Sequence, residues 1–286
     1  MTSDDASDRT NGLLAAGGGV YAARQSGLFQ IGAGGEERNL YQSWMPEQAL
    51  PTLAIATAGD LLLAGINGGV ARSQDGGASW TAQPFRAPAP LVTCLALSPK
   101  FEEDGCALAG AFEDGVFRST DGGESWIAVN HGLFDHSVYS LALSPNFAHD
   151  GIACVGTGSG IYRSKNGGRL WWDLTMPAGD ETVLSLAIAE SGALFAGCEA
   201  HGLLRSRDAG ESWEALLETE GAVNGVALAK DGALIAQVDD GVWLSRDDAA
   251  SWSELAADNV DCMALGADGE TLLLAMADGS IRQLYI

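Results

Sequence analysis

Residues 119–126 read Ser119-Thr120-Asp121-Gly122-Gly123-Glu124-Ser125-Trp126, and four related segments occur along the chain. The other copies are SQDGGASW at 73–80, SKNGGRLW at 164–171, SRDAGESW at 206–213 and SRDDAASW at 245–252. Their tryptophans are 39 to 46 residues apart. Because a repeat of this length holds four short strands, it is typical of one blade of a β-propeller.

The units around these segments share one order of apolar runs and turns. Each has a first apolar run such as 138–143, a turn that commonly ends in Asp-Gly, a second run, a glycine turn and a third run. The glycine before the third run marks seven units: Gly27, Gly69, Gly115, Gly160, Gly202, Gly241 and Gly279. We therefore predict an all-β fold, a seven-bladed β-propeller of four-stranded antiparallel blades, with six blades as the alternative.

The domain organisation follows from the same rhythm. Residues 1–10 are predicted to be a disordered tail, and residues 11–286 a single propeller domain. The predicted blades are at about 11–45, 50–82, 91–129, 137–175, 182–216, 222–255 and 259–286. In the first blade we expect LLAA, VYAA, GLFQI and YQSW to be the strands. The last blade ends after its third run, and the polar tail is a poor strand, so we expect a three-stranded or loosely closed blade.

The repeated segment has a structural explanation. A carboxylate such as Asp121 can accept hydrogen bonds from nearby backbone N–H groups and fix a hairpin loop, while the glycines permit positive φ. The ring of Trp126 can pack between blades, and its indole N–H can find a carbonyl. Since copies spread around a ring cannot all be one active site, we assign the segment to the fold.

The segment resembles the Asp-box, or BNR, repeat of the sialidase-like β-propeller superfamily. LSPKF at 97–101 and LSPNF at 143–147 look like uncharacterised bacterial BNR-repeat proteins in particular. The resemblance implies the fold and leaves function open, because sialidases, oligoxyloglucan-type hydrolases, sortilin-type receptors and photosystem assembly factors share it. It also implies that ligands bind on the face opposite the repeated loops.

A sialidase activity is not supported by the arginines. That family uses an arginine triad and a Tyr-Glu pair, whereas the projected face holds only Arg24 and Arg86. Four of the other arginines recur at one position of the repeat, which indicates a structural role: Arg72, Arg118, Arg163 and Arg205. An acidic face would also repel a sialic acid.

The composition excludes several classes of partner. With 15 basic and 38 acidic residues the formal charge is −23, which disfavours nucleic acid and membrane surfaces. The five cysteines have no metal-ligand spacing and lie in apolar runs, so we expect buried free thiols in a reducing compartment. The first residues do not read as a signal peptide, so we predict a soluble, cytoplasmic, acidic protein. No phosphate-cradling loop or CxxC occurs in the sequence, and we predict no cofactor and no metal.

One column of the repeat varies in a way that packing does not explain. Within the first strand, a small-residue column reads Thr52, Cys94, Ser140, Ser185, Gly225 and Cys262. The column before it is chemically scattered: Pro51, Thr93, Tyr139, Leu184, Asn224 and Asp261. We expect the scattered column near the mouth of the central channel, where Tyr139, Asn224 and Asp261 are candidates for ligand binding.

Loop residues complete the candidate site. Glu199 and His201 are further ligand-binding candidates, and Tyr139, Asp261 and His136 are the candidates for catalysis. A neutral-sugar hydrolase needs only two suitably spaced carboxylates, but the projected face carries so many that none is singled out. His131, Asp135 and His136 share a loop whose spacing is not a metal signature.

Two loops suit contact with a protein. Phe85 and Arg86 lie in a proline-rich connection, and Phe134 in the longest one, and such residues serve as interface anchors. The predicted function is therefore a non-catalytic, cytoplasmic interaction or assembly module with a protein partner. The alternative is a hydrolase or lyase, glycosidase-like, acting on a neutral or cationic small-molecule ligand at the channel mouth.

Overall fold

The computed structural model describes residues 8–16, 19–32, 34–85, 89–177, 179–256 and 258–286. These residues form seven antiparallel sheets, each built from strands that are consecutive in sequence. Six sheets have four strands and the last has three, so the seven-bladed propeller and the three-stranded last blade are both confirmed.

The blades use strands of two to seven residues. Blades 1 to 3 are β1 (Thr10–Ala16), β2 (Gly19–Arg24), β3 (Gly27–Ile31), β4 (Glu37–Asn39); β5 (Thr52–Ala58), β6 (Leu61–Ile66), β7 (Gly69–Ser73), β8 (Thr81–Pro84); and β9 (Leu91–Leu97), β10 (Ala107–Phe112), β11 (Gly115–Ser119), β12 (Ile127–Ala128). Blades 4 and 5 are β13 (Val138–Leu143), β14 (Ala153–Thr157), β15 (Ile161–Ser164), β16 (Trp172–Leu174); and β17 (Val183–Ile188), β18 (Leu194–Cys198), β19 (Leu203–Ser206), β20 (Glu214–Leu217). Blades 6 and 7 are β21 (Val223–Leu228), β22 (Leu234–Val238), β23 (Gly241–Ser245), β24 (Ser253–Ala256); and β25 (Val260–Leu265), β26 (Thr271–Met276), β27 (Ile281–Tyr285).

Two single-turn helices, α1 (Phe101–Asp104) and α2 (Phe147–Asp150), follow the first strands of blades 3 and 4. The sequence predicted a turn ending in Asp-Gly at these places. Gly105 closes α1 with a φ of 59°, and its N–H bonds Phe101 O at 2.8 Å. Glycine is favoured there because that conformation is strained for residues with a Cβ.

The ring closes where blade 7 meets blade 1, with β25 against β1. The N–H of Thr10 donates to the carboxylate of Asp261 at 3.3 Å, and Arg24 donates to Gly279 O at 3.3 Å. Arg24 also forms a two-point ion pair with Glu37 at 2.9 and 2.8 Å. The ring is therefore closed by contacts between neighbouring sheets.

The core consists of apolar clusters between the blades. The second strands are the most buried: β6, β14, β18 and β26 have nearly every residue inside. All five cysteines are free, as predicted; Cys106, Cys154 and Cys198 are also buried, whereas Cys94 and Cys262 are only half-buried. Burial raises the pKa of the thiols of Cys154 and Cys198 to about 12, so these thiols stay protonated at neutral pH.

The five segments 73–80, 119–126, 164–171, 206–213 and 245–252, here called the tryptophan loops, share one hydrogen-bond pattern. In the first, the carboxylate of Asp75 accepts from the Ser79 N–H at 2.8 Å and from the Ser79 hydroxyl at 2.5 Å. The hydroxyl of Ser73 donates to Asp75 Oδ1 at 2.8 Å and accepts from the Gly77 N–H at 2.9 Å. Hydrogen bonds lower the pKa of Asp75 to about 2. The largest contributions come from the hydroxyl and the N–H of Ser79, and the next from the hydroxyl of Ser73.

The tryptophans and arginines of the repeat join neighbouring blades. The indole N–H groups of Trp80 and Trp171 donate to Leu40 O and Val129 O of the preceding blade at 2.9 and 2.8 Å. Trp213 differs, because its indole N–H is buried without an acceptor among the described residues. Arg72 and Arg118, like Arg163, each reach a backbone carbonyl in the tryptophan loop of the next blade, which confirms their structural role.

Two details of the predicted strand pattern are wrong. Residues 41–44, YQSW, form a turn, and the fourth strand of blade 1 is β4, because Tyr41 is drawn into the gap between blades 1 and 2. Its ring lies edge-on to Trp80 with centroids 5.1 Å apart. In blade 2 the scattered column is occupied by Leu53 and not by Pro51, since the register shift lies between Thr52 and Ala54.

Candidate functional site

The face opposite the tryptophan loops is formed by the turns between second and third strands and by the connections between blades. We call it the connector face. It surrounds the end of the channel at which every first strand begins.

Each first strand carries one extra residue near its start, opposite a register shift in the neighbouring strand. Such a bulge redirects a side chain and leaves part of the ladder unpaired. The seven bulge residues are Asn11, Leu53, Thr93, Tyr139, Leu184, Asn224 and Asp261. Six repeats could be aligned from sequence, and the seventh member, Asn11, was missed because blade 1 lacks a tryptophan loop.

The carbonyl just before a bulge is bonded by a side chain of the preceding blade. Thr93 donates to Val138 O at 2.7 Å, and Ser140 donates to Val183 O at 3.1 Å. Further links of this kind are Asn11 to Thr52 O at 3.0 Å, Ser185 to Val223 O at 3.0 Å and Gln237 to Val260 O at 3.1 Å. Asn11 and Thr93 thus have a structural explanation. In blades 4 and 5 this link is made by Ser140 and Ser185, so the bulge residues Tyr139 and Leu184 are not needed for it.

The three predicted channel-mouth residues occupy equivalent positions on different blades. The ring of Tyr139 lies edge-on to Phe112, with centroids 5.9 Å apart. The side-chain amide of Asn224 donates to Asp239 O at 3.1 Å, and the carboxylate of Asp261 accepts from Thr10. Each of the three side chains therefore has a local partner of its own.

The connection between blades 3 and 4 carries two predicted site residues, Phe134 and His136, whose surroundings differ. Phe134 is 87% exposed, the largest exposure among the exposed large apolar side chains of the described residues. His136 uses its Nε2 to contact Leu133 O at 3.1 Å, and Asp135 accepts from the N–H of Ser137. These side chains serve the loop itself, and among the described residues no group of three or more His, Cys, Asp or Glu is arranged to hold a metal.

The other loop predicted to contact a partner, at Phe85 and Arg86, does not expose its aromatic ring. Phe85 is only 6% exposed and stacks on Phe117 with centroids 4.2 Å apart, so it fills the gap between blades 2 and 3. Its apolar ring gains more from the aromatic cluster with Trp126 than from water. Phe85 is therefore left out of any contact surface, and Arg86 lies outside the described residues.

His201 and Glu199 lie in the turn of blade 5, and His201 borders a cavity. The Nδ1 atom of His201 contacts the carboxylate of Glu181, whose side chain is only 4% exposed. The other oxygen of Glu181 accepts from the Ala200 N–H at 2.9 Å. Glu199 is exposed, and its N–H bonds Thr182 O.

The cavity beside His201 has a volume of about 380 Å³ and lies between blades 4 and 5. Most of its lining is apolar, and the polar groups are those of His201, Glu218 and Thr219. The lining residues are Pro177, Ala200, His201, Leu204, Trp213, Ala215, Glu218 and Thr219. Sequence reasoning missed Leu204 and Trp213 because both belong to repeated columns. The signal that could have found them is the third-strand column Ala71, Phe117, Tyr162, Leu204 and Trp243, in which blade 5 lacks the aromatic ring of its neighbours.

The charge of the connector face is one-sided. Within the described residues its turns between strands and its connections between blades contain no lysine or arginine, while Arg9, exposed just before β1, and Arg24, which pairs with Glu37, lie at the same end of the sheets. They carry the carboxylates of Glu47, Glu113, Asp114, Asp135, Asp180, Glu181, Glu199, Glu218, Glu220, Asp239, Asp240, Asp258 and Asp278. Such a surface attracts cations and basic segments and repels anions.

Two acidic turns of this face have strained backbones. Glu113 and Asp239 have φ values of 65° and 50°, in the region that favours glycine. A residue other than glycine costs roughly 1–2 kcal/mol in that conformation. The turns thus keep a carboxylate where glycine would be more stable.

The comparisons with known proteins found similar solved structures, described below, but no match in sequence. No family model matches the chain, and no curated protein matches it. In the part of the chain that the structure describes, no helix has the length and apolar character needed to span a membrane.

Solved structures superpose over nearly the whole chain. The GH74 xyloglucanase from Xanthomonas campestris is 18% identical with a TM-score of 0.77, covering 97% of this chain and 52% of the enzyme. YCF48 bound to D1 peptide is 14% identical with a TM-score of 0.73, covering 99% and 93%. The extracellular domain of BT4673 from B. thetaiotaomicron is 15% identical with a TM-score of 0.77, covering 98% of this chain and 38% of that one. The chain thus spans about two fifths of the BT4673 structure, and at these identities the likeness shows the β-propeller fold alone.

Proposed function

We propose that the protein is a non-catalytic interaction propeller of the Asp-box type, which binds a basic segment of a protein partner on its connector face. The observation that carries this proposal is the segregation of charge: the described turns and connections of that face hold many carboxylates and no lysine or arginine, and these carboxylates far outnumber the exposed Arg9 before β1. A basic segment is the partner chemistry that such a surface attracts.

Apolar contacts on the same face supply an anchor. Phe134 is 87% exposed, and Phe112, at 36%, packs against Tyr139. Exposed aromatic side chains of this kind are frequent at the centres of interfaces. The strained turn at Glu113 further supports a role for its carboxylate outside the fold, whereas the carboxylate of Asp239 accepts from the Ala222 N–H at 3.0 Å.

The neighbours in structure are consistent with a partner of this class. One is YCF48 bound to a peptide, and another occurs in the mitotic checkpoint complex. The alternative, a hydrolase or lyase, would need acid and base groups directed at one pocket. Among the described residues Tyr139, Asp261 and His136 each contact their own loop or neighbour. The cytoplasmic location predicted from the sequence belongs to this proposal.

Matched charge reversals test the proposal. In a pull-down from the native host, the variant Glu199→Lys/Glu220→Lys changes exposed carboxylates of the connector face. The control Glu190→Lys/Glu211→Lys makes the same change of charge at exposed positions on the opposite face. We expect the first pair and Phe134→Ala to lose the partner captured by the wild type, and the control pair to retain it.

The salt dependence gives a second measurement. Binding of the captured partner should weaken at least tenfold between 50 and 500 mM salt, because paired surface charges are screened. If both charge-reversal variants lost the partner equally, the interaction would depend only on the overall negative charge of the protein, which would contradict a binding face. Retention by all three variants would also contradict it.

A further inference from the structure

We infer that the cavity between blades 4 and 5 is an anchor pocket for a tyrosine side chain of the partner. This inference rests on the proposed function, because it gives the partner segment a specific contact on the connector face. The cavity opens beside His201 and Glu218, both of which belong to that face.

The pocket exists because one gap between blades is filled by smaller side chains. Between blades 2 and 3, Phe85 stacks on Phe117 and contacts Trp126, with centroids 4.2 and 5.6 Å apart. Met176 and Leu204 take the equivalent places between blades 4 and 5, beside Trp213. Two phenyl rings are thus replaced by aliphatic chains, and a space of about 380 Å³ remains.

The chain itself shows which group fits such a gap. At two other gaps an aromatic ring supplied by the preceding connection lies against the tryptophan, Tyr41 against Trp80 and Phe85 against Trp126. Leu204, Pro177 and Trp213 offer apolar walls to a ring from outside. A planar aromatic side chain therefore matches the walls better than a branched aliphatic one.

The polar rim selects for a donor on that ring. Glu181 is buried and contacts Nδ1 of His201, so in the neutral imidazole Nδ1–H donates to the carboxylate and Nε2 remains an acceptor. The carboxylate of Glu218 is a second acceptor at the rim. The hydroxyl of tyrosine donates to either group, whereas phenylalanine leaves both without a new bond.

Small probes test the pocket without the partner. We would titrate N-acetyl-tyrosinamide, N-acetyl-phenylalaninamide and N-acetyl-argininamide into the wild type and follow the indole resonance of Trp213 by NMR. For the tyrosine probe we expect saturable binding with a Kd of about 1 mM, the range for a ligand of this size. The phenylalanine probe should bind about tenfold more weakly, and the arginine probe should not saturate.

Filling the cavity supplies the matched variant. Leu204→Phe places in blade 5 the ring that Phe117 provides in blade 3, so the sheet already accepts it at that register. It should weaken the tyrosine probe at least tenfold, and Ala215→Phe on the paired strand should do the same if Leu204→Phe fails to fold. Phe134→Ala should leave probe binding unchanged.

The outcomes separate the two proposals. Absence of saturable tyrosine binding to the wild type, a preference for the arginine probe, or binding unaffected by both filling variants overturns the pocket. None of these results affects partner capture that depends on Phe134 and the charge reversals. Conversely, tyrosine binding that persists while the partner is retained by every connector-face variant would overturn the interaction face and leave only a small-ligand pocket.

Discussion

The tryptophan loops and the connector face are built at opposite ends of the same seven sheets, and they differ in how their residues are held. In the loop at 119–126, the carboxylate of Asp121 accepts from the N–H groups of Glu124 and Ser125 and from the hydroxyls of Ser119 and Ser125. On the connector face, Phe134 is 87% exposed and Glu199 projects into solvent. One end is fixed by internal bonds, while the other presents side chains that the fold does not require.

This difference separates repetition from function. The arginine that recurs in blades 2 to 5 contacts the next blade, as Arg72 and Arg118 do through Gly122 O and Gly167 O. A position that keeps its register but changes its chemistry, such as the bulge at Tyr139, cannot have that shared task. The repeat therefore supplies the alignment in which the functional differences become visible.

The largest effect should come from removing a tryptophan that joins two blades. Trp171 is 2% exposed and its indole N–H bonds Val129 O. Trp171→Ala should lower the free energy of unfolding by about 3–5 kcal/mol, through the cavity and the orphaned carbonyl. Urea unfolding followed by circular dichroism measures the loss.

Two controls sharpen that result. Phe134→Ala should change the free energy of unfolding by less than about 0.5 kcal/mol, since an exposed ring has little to lose. Trp213→Ala should fall between the two, because this indole is half-buried and its N–H has no acceptor among the described residues. If Trp171→Ala were as mild as Phe134→Ala, the loops would not be what holds the blades together.

The sequence predicted most of the fold because the repeat supplies its own alignment. Seven glycine turns and five loops were enough to count the blades and to foresee the three-stranded last one. Prediction failed where a connection leaves the repeat pattern. Tyr41 was assigned to a strand and lies in a turn, and the column of blade 2 was shifted to Pro51.

The candidate site was predictable only in part. Phe134 is as exposed as a loop residue should be, but Phe85 enters the core because the gap between blades 2 and 3 has room for its ring. The pocket beside His201 depends on what Met176 and Leu204 leave unfilled. Burial of this kind is a property of two neighbouring sheets, and a one-dimensional pattern does not contain it.

The next effect tests the links at the channel mouth. Gln237 is 2% exposed, and its amide donates to the carbonyls of Asp239, Val260 and Asp261 at 3.1–3.3 Å. Gln237→Ala should cost about 1–3 kcal/mol of unfolding free energy, because buried carbonyls lose their donor. Asn224→Ala, which removes one exposed bond to Asp239 O, should cost less than about 0.5 kcal/mol in the same urea assay. Equal costs would show that blades 6 and 7 do not depend on the buried amide.

A smaller effect concerns the degenerate loop at 245–252. Ala249 has a φ of 69°, where the other loops have glycine. Ala249→Gly should raise the free energy of unfolding by roughly 0.5–1 kcal/mol, the strain relieved minus the added freedom of the unfolded chain. The reciprocal change Gly168→Ala should lower it by more than about 1 kcal/mol, since φ is 80° there and a Cβ would lie 3.0 Å from the side chain of Leu108. Thermal unfolding of both variants checks the opposite signs, and two changes of the same sign would refute the strain argument.

The smallest effect is a dependence on pH confined to the tryptophan loops. The hydroxyl and N–H of Ser212, followed by the hydroxyl of Ser206, lower the pKa of Asp208 to about 2 from a model-compound value of 3.8. A carboxylate whose pKa is lower in the folded state stabilises the fold above the unfolded pKa and loses that effect as the pH falls through the folded one. The wild type should therefore exceed Asp208→Asn in stability at pH 5, and the difference should shrink between about pH 4 and pH 2. Asn166 stands at this position in the third loop and accepts from the N–H groups of Arg169 and Leu170, so asparagine is compatible with the loop. A difference between the two proteins that stays constant from pH 5 to pH 2 would show that Asp208 acts through its shape and not through its charge.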